Sequence, residues 1–481
     1  MGFNNLIKKI NLSKKGTGFY YIKNTSFITF SKIIENLAAY FIIILISRYL
    51  GAEGLGQYSF IFAFVGIFCL FADFGLSEMM VKDLSKNFSK INKYLSSLFS
   101  LKLILTFISF LIYFVCLFFI GKKEIFLALV LVGIMQIITI FQGVFYNILR
   151  IKHSGRKIMI VNIVERVIAL LGVLIILPLT KSLTLLVLIF LISNLMKSII
   201  LFMFTKKYFK INLDFDFKPL INLIKKSLPF MLIGFFATIY IQMDSIMLSF
   251  MQGDVIVGFY NAGYKLINVL SIIPFILLTF GFPLFAKLFN SDKKALKRLF
   301  EKILYYSMVL IFPITIGVFY LGRRLLEFIY NFNSIEAATA FNILIVAEIF
   351  IFLTIILGQF IVAANKQKVF AYIGGIGAFV NIALNFILIP KYSLYGAGIA
   401  TLITYVLMFV LMYFFIKKNL LKFNFFRYLI VPLIGTFIMW LILINILHLH
   451  LLLIILICAV VYVCLIGGWE LVKLRKKSKV I

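Results

Sequence analysis

The sequence predicts an all-α, polytopic membrane protein of about 14 transmembrane helices, and three observations carry that prediction. Fourteen apolar stretches, each about long enough to cross a bilayer, fill the 481 residues. Only 14% of the residues are charged and 63% are hydrophobic, whereas a soluble domain carries about 25% charged residues. Lysine and arginine crowd every second gap between the stretches. Hydrocarbon offers no water to backbone groups, so runs this long and apolar must be spanning helices.

The basic N-terminus, 1–26, holds Lys8, Lys9, Lys14, Lys15 and Lys23 and no cleavable apolar region, so Phe27 to Ser47 is expected to be a retained first span. The spans are expected near 27–47, 57–80, 94–120, 125–148, 158–177 and 183–204, an N-lobe covering 27–205. A basic cytoplasmic linker with Pro219, 206–227, comes next. A C-lobe, 228–416, follows with spans near 228–250, 257–281, 303–321, 338–362, 369–389 and 396–416. Two further spans, 428–447 and 450–470, precede a basic cytoplasmic tail, 471–481.

Orientation follows from charge. About 36 of the 48 lysines and arginines fall on the side of the N-terminus and about 7 on the other. Positive charge stays inside, so both termini are expected in the cytoplasm and the protein in the cell membrane. The net charge of +31 is distributed in small clusters at span ends, which encodes topology and argues against nucleic-acid binding. Cys69, Cys116, Cys458 and Cys464 lie in apolar segments and read as small buried hydrophobes. His448 and His450 read as a polar turn, not a metal site. The longest external connection, Gly322 to Ala337, offers only Glu327, Glu336, Arg323 and Arg324. That is no catalytic constellation, which disfavours a membrane glycosyltransferase or polymerase. Nothing calls for a cofactor, a metal or a catalytic residue.

The chain also repeats itself. Gly56-Gln57-Tyr58 answers Gly258-Phe259-Tyr260, and a stretch from Gly143 ending at Pro178 parallels one from Gly358 ending at Pro390. Both offsets equal six spans. Six is even, so the two six-helix lobes should be a parallel pseudo-two-fold repeat about the membrane normal, with the last two helices outside it.

Ile46-Ser47-Arg48-Tyr49-Leu50-Gly51, Gly54-Leu55-Gly56-Gln57-Tyr58, Ala72-Asp73-Phe74-Gly75-Leu76, Ile241-Gln242-Met243-Asp244-Ser245 and Val257-Gly258-Phe259-Tyr260-Asn261-Ala262 carry a resemblance. Together with Asn24-Thr25-Ser26, Pro229-Phe230 and Asn381 through Gly398, they resemble the polysaccharide transporter family. These are the Wzx-type flippases of O-antigen, capsule and teichoic-acid repeat units, within the multidrug/oligosaccharidyl-lipid/polysaccharide exporter superfamily. The resemblance implies two lobes around a cationic central cavity and a polyprenyl-pyrophosphate-linked glycan as substrate. It also implies partners in the bilayer and among polysaccharide polymerases and glycosyltransferases. Arg48 matches the family's basic position in the first span, and Lys265 sits where members often carry Arg or Lys in the eighth.

An ionised side chain at the centre of a span adds ~2.5–3.5 kcal/mol to insertion, so each needs a partner, a wet cavity or a snorkelling route. Lys32 and Glu35, three apart, are expected to form a helix ion pair. Lys102 and Lys197 are expected to snorkel, and Asp73 to cap a helix. Asn261, Lys265, Asn268 and Ser271 align as one polar stripe, followed by a hinge at Pro274. Asn162, Glu165, Arg166, Ala169 and Gly172 form a second stripe, and Gly374, Ala378, Asn381 and Asn385 a third, suited to sugar hydroxyls or to packing. The expected cationic substrate site is therefore Arg48, Lys265 and Arg166 with Asn261 and Asn268. Glu35, Glu165, Asp244 and Glu348 are the candidate ion-coupling carboxylates.

Stripping a pyrophosphate of water costs far more than thermal energy, and a cavity lined by cations replaces that hydration. Moving two negative charges outward against an inside-negative potential gains ~4–5 kcal/mol per 100 mV. The expected function is flipping of the lipid-linked repeat unit for surface polysaccharide synthesis by alternating access. A peptidoglycan-precursor flippase and a multidrug exporter of the same superfamily are the alternatives. Lys265 and Arg166 favour an anionic substrate over a cationic drug.

Overall fold

The computed structural model describes residues 17–85, 91–209, 213–425 and 428–478. Most of the expected N-terminal segment, residues 210–212 of the expected linker and the last three residues of the tail lie outside the described residues. Among the described residues every regular element is helical. A continuous run, Thr17–Asp73, is interrupted at Gly51 (φ 70, ψ −167), which divides it into α1 (17–50) and α2 (52–73). Then come α3 (Leu76–Leu84), α4 (Ile91–Phe119), α5 (Phe126–Ile151), α6 (Gly155–Thr180), α7 (Leu183–Thr205) and α8 (Phe217–Met251). α9 (Asp254–Leu270), α10 (Ile272–Leu288), α11 (Lys293–Tyr330) and α12 (Ile335–Ala363) follow. The run Gln367–Asn419 breaks at Ser393 (φ 52, ψ −131) into α13 (367–392) and α14 (394–419). α15 (Ile430–Asn445) and α16 (Leu451–Ser478) close the chain.

Eleven of the described helical runs are long and apolar enough to cross a membrane. Two of these are the divided runs, and Ile430–Asn445 is a shorter apolar helix, which together make the expected fourteen segments. The main deviations are at ends. α11 begins ten residues before the expected span at 303, because a basic turn with Lys293, Lys294 and Lys297 continues the helix beyond the apolar core. Asp292 caps it, accepting from the amides of Lys294 and Ala295 at 2.9 Å each. The Ala295 hydrogen bond, chiefly, holds that carboxyl below the usual carboxylate range. The eighth span is two helices, with the break at Ser271, three residues before Pro274. Proline there occupies the first turn of α10, where its missing N–H costs nothing.

The repeat is written in the turns. Left-handed residues stand at Gly51, Gly121, His153 and Lys181, and again at Gly253, Asn331, Asn365 and Ser393. Pairwise the offsets are 202, 210, 212 and 212 residues, so four chain reversals of the first half return in the same order in the second.

The chain forms two compact units. One comprises the described residues up to Leu50 together with Phe64–Phe235, and the other Gly51–Ala63 together with the described residues from Phe236 onward. In the first, α7 packs on α5 and α6, while α3, α4 and α5 share an apolar core with Phe209. Phe209 stacks on Phe99 and Phe145, and the Ser100 hydroxyl accepts from the Asp214 amide at 2.9 Å, so the described part of the linker is docked on α4. In the second, α12 packs against α9, α10, α11 and the α13–α14 pair. α15 and α16 pack on α11 through Tyr305, Val309, Leu321, Leu443 and Ile454. Arg324 secures this hairpin, donating to the carbonyl oxygens of Leu447 and Leu449 at 2.8 Å each, on either side of exposed His448. Large side chains such as Phe118, Phe119 and Phe379 stand more than three-quarters or about three-quarters exposed, as lipid-facing positions do.

Several sequence expectations need correction. Lys102 does not snorkel. Its side chain is 0% exposed, and its ammonium sits 2.6 Å from Asp73 Oδ1 while donating to Ser77 Oγ and to the Ile140 carbonyl at 3.1 Å each. Asp73 does cap the next helix, accepting from the Ser77 amide and hydroxyl at 3.4 and 2.6 Å, but Lys102 is its main partner. The bend at Phe74 and Gly75 (φ 49 and 71) directs this carboxylate inward. Lys197 is likewise internal, and Glu35 approaches Lys197 at 4.0 Å, while Lys32 is exposed. Cys464 is exposed rather than buried.

Candidate functional site

Each unit encloses a polar cluster of sequence-predicted site residues, and the two differ in kind. In the first unit the cluster is a charge quartet. Glu35 comes from α1, Glu165 and Arg166 from α6, and Lys197 from α7. Arg166 Nε lies 3.4 Å from Glu165 Oε2, and Lys197 Nζ lies 3.7 Å from that oxygen and 4.0 Å from Glu35 Oε1. Neither Glu165 Oε2 nor Arg166 Nε has a hydrogen-bond partner. The quartet is thus electrically balanced but loosely held, unlike the 2.6 Å Lys102–Asp73 pair. Two cations with unsaturated donors can trade a carboxylate for a phosphate oxygen at modest cost. Asn162, from the same stripe, donates to Ser31 at 3.4 Å and helps hold α6 to α1.

In the second unit the cluster is a carboxylate among neutral donors. Asp244, on α8 and 2% exposed, accepts from Tyr260 (2.6 Å), Thr401 (2.7 Å) and Asn385 (2.7 Å). Asn385 also donates to Asn381 at 3.2 Å, and its own Oδ1 is without a partner. No described lysine or arginine forms an ion pair with Asp244. One carboxylate held by neutral hydroxyl and amide donors, with the free Asn385 Oδ1 beside it, suits a proton or a monovalent cation. A divalent ion would need more charge, and no group of three or more His, Cys, Asp or Glu exists among the described residues. Of these partners, Asn381 and Asn385 stood out in the sequence for a different role, Tyr260 stood out only as part of the repeat and family motifs, and Thr401 did not stand out at all. A stronger signal for Tyr260 was present, since it lies next to Asn261 of the polar stripe and one turn before Tyr264.

The polar stripe on α9 is divided by the fold. Asn261 is buried, donating to Ser245 and to the Val257 carbonyl at 3.0 Å each. Ser271 donates to Glu348 Oε1 at 3.0 Å. Glu348 is fully buried, and its other oxygen has no partner. Asn268 lies beside the Tyr264 hydroxyl. Lys265 stays half-buried within a membrane span and makes no hydrogen bond or ion pair to any described residue. Arg48 is exposed near the end of α1, three residues before the Gly51 break. The structure brings Glu35, Glu165 and Arg166 together and separates Asp244 and Glu348 into distinct environments.

A sequence family described as polysaccharide biosynthesis protein matches residues 21–289. An uncharacterized membrane protein of Methanocaldococcus jannaschii is 27% identical over 236 residues, covering 48% of this chain and 46% of its own length. The capsular polysaccharide biosynthesis protein CapF of Staphylococcus aureus is 24% identical over 411 residues, 82% of this chain and 99% of the relative. Among solved structures, the lipid II flippase MurJ in an inward closed conformation aligns with a TM-score of 0.76 at 17% identity, over 92% of this chain and 99% of that one. An inward-facing multidrug resistance MATE transporter aligns with a TM-score of 0.64 at 13% identity, over 80% and 96%. At such identities these two likenesses concern the fold.

Proposed function

From the premise that this chain belongs to the polysaccharide biosynthesis protein family, we propose that it flips an anionic, polyprenyl-pyrophosphate-linked oligosaccharide repeat unit across the cell membrane for surface polysaccharide synthesis. The observation that carries the reading is Lys265. A cation held in the middle of a span, half-buried and without a carboxylate among the described residues, is a liability unless it serves an anionic cargo. Arg166, with an unsatisfied Nε, and Arg48 are the further cations assigned to the head group, and Asn261 and Asn268 support the α9 side of it. The path is a cationic cavity used by alternating access, with 27–205 and 228–416 as the two repeated lobes. Glycosyltransferases that build the unit and a polymerase that consumes it are the matching partners.

The direct test is flipping of a fluorescent lipid-linked oligosaccharide in proteoliposomes. Transport of a peptidoglycan precursor in its place would support the alternative suggested by the fold shared with a lipid II flippase. Efflux of a cationic drug, with no lipid-linked substrate moved, would reject the proposal.

Asp244 is assigned the coupling ion, a proton or a monovalent cation, because its shell of neutral hydroxyl and amide groups carries no protein counter-charge among the described residues. Asp244→Asn is expected to remove the acceleration that an imposed proton or sodium gradient gives to flipping. An unchanged gradient response in this variant would remove Asp244 from the mechanism and leave Glu35, Glu165 and Glu348 as candidates.

The charge asymmetry supports a topology with both termini in the cytoplasm. A reporter fused after residue 481 should be active only in its cytoplasmic form, and activity of an externally dependent reporter at that site would invert the topology.

A further inference from the structure

Helix α7 runs on into a short 3-10 helix, Lys206–Tyr208, and the rings of Phe204 and Tyr208 lie on an apolar core that includes Leu149, Ile158 and Leu201. Lysines from three elements gather on these two rings. Lys152, at the end of α5, has its ammonium 5.6 Å from the centre of the Tyr208 ring, and Lys207 has its own at 5.1 Å. Lys157, in the first turn of α6, lies 5.2 Å from the centre of the Phe204 ring. A ring face attracts an ammonium, but ammoniums gathered on adjoining rings repel one another. Nearby Arg150 has Glu78 at 3.8 Å. Lys157, Lys206 and Lys207 form no ion pair with a described residue. The α5–α6 turn that carries the cations is fixed by its backbone. The Ser154 amide donates to the Leu149 carbonyl at 2.9 Å, and the Gly155 amide to Asn24 Oδ1 at 3.1 Å.

Positive charge at this end is expected for orientation alone, and the second unit meets that need without any such gathering. The 212-residue offset that joins His153 to Asn365 and Lys181 to Ser393 sets Lys152, Lys157, Lys207 and Tyr208 against Ala364, Val369, Asn419 and Leu420. The register holds this far, because Phe209 and its counterpart Leu421 are both buried. The second unit is still basic here, with Lys366, Lys368, Lys417 and Lys418 exposed. Lys417, however, lies over Tyr413, one turn back on its own helix. Both halves keep the cations, and the meeting of lysines from α5, α6 and the end of α7 on adjoining rings belongs to the first.

Exposed apolar side chains continue from these cations into the span. On α7, Ile199, Met203 and Lys206 follow i, i+4, i+7 spacing and are all exposed. On α6, exposed Ile160 stands one turn beyond Lys157. Cations at a span end above a lipid-facing apolar strip match a phosphate headgroup with acyl chains below it, and basic pockets between spans hold such headgroups. We propose that the end of the first unit around Tyr208 is a site for one anionic phospholipid of the bilayer, its phosphate among Lys152, Lys157 and Lys207 and its chains along Ile160, Ile199 and Met203. This lipid is a resident of the membrane and not the flipped cargo. It ties the α5–α6 turn to the start of the linker, so the anionic lipid content of the membrane sets how firmly that segment is held.

The experiment is native mass spectrometry of the full chain in neutral detergent, titrated with phosphatidylglycerol or with phosphatidylcholine of the same acyl chains. Wild-type protein is expected to bind its first phosphatidylglycerol about tenfold more tightly than phosphatidylcholine, and Lys157→Gln with Lys207→Gln should bring the two within about threefold, in line with the attraction of individual lysines for anionic headgroups. Lys157→Arg with Lys207→Arg keeps both charges and should keep the preference. Lys417→Gln with Lys418→Gln removes the same charge from the second unit and should also leave it unchanged. Equal falls in the two glutamine variants would mean attraction to the basic surface as a whole, and no fall in the first would mean that these lysines hold no lipid. Either result overturns the proposal. Excess inorganic phosphate should not displace the bound lipid, and displacement would mean a bare anion site and overturn it too. Lipid is read on the folded species alone and no transport is measured, so the result stands whatever cargo the protein moves.

Discussion

Lys265→Ala is expected to leave the protein inserted at normal levels while cutting flipping by one to two orders of magnitude, with lipid-linked repeat units accumulating inside the cell. One charge-assisted hydrogen bond to phosphate is worth ~1.5–3 kcal/mol, and each ~1.4 kcal/mol is a factor of ten. No protein partner of Lys265 is left unsatisfied by the change, because it makes no hydrogen bond or ion pair to a described residue. Stability should therefore move little, which separates loss of substrate binding from loss of fold. Lys265→Arg should keep most of the activity if the group acts as a cation toward phosphate, and less if a compact ammonium is required. Arg48→Ala should follow the same pattern, with a larger effect on insertion because it sits beside the α1–α2 break. Wild-type flipping by Lys265→Ala in proteoliposomes would return α9 to a purely structural role.

The largest stability effect should come from Asp73→Asn. It leaves the Lys102 ammonium, 0% exposed, with neutral acceptors alone and no counter-charge: the new amide oxygen, the Ser77 hydroxyl and the Ile140 carbonyl. Breaking a buried pair from one side costs about 3–5 kcal/mol, whereas replacing both partners by apolar residues of similar size is often near neutral. The double variant Asp73→Leu with Lys102→Met should therefore regain most of what Asp73→Asn loses. Thermal unfolding in detergent reads both. Equal stability of Asp73→Asn and wild type would show that water reaches Lys102 and that the pair is not closed.

The same pair shows what the sequence could and could not tell. The helices were legible because hydrocarbon forces a long apolar run into one conformation, whatever surrounds it. The repeat was legible at Gly56 and Gly258 because a Cβ there would lie 1.7 Å from the Asp254 carbonyl oxygen and 1.8 Å from that of Ala52, which only glycine avoids. Lys102 was misread because its depth alone fits snorkelling, while its true partner depends on the bend at Phe74 and Gly75. Glu35 was assigned to Lys32 by spacing along one helix, but packing brought α7 alongside and offered Lys197. The Asp244 cluster draws on α8, α9, α13 and α14, with partners up to 157 residues away. Each member was visible as a polar residue in a span, and nothing local announced that they meet.

The clasp between Arg324 and the α15–α16 turn has a consequence for biogenesis. Its acceptors, Leu447 and Leu449, follow Arg324 by 123 and 125 residues. At the usual pace of synthesis, about 5–20 residues per second, α11 waits roughly 6–25 s in the membrane for that cover to be made. During this interval a guanidinium and an apolar helix face stand open to whatever the insertion machinery or a membrane protease presents. A chain shortened before Ile430 never leaves that state, so loss of the last two helices should be read by the cell as an unfinished protein and degraded.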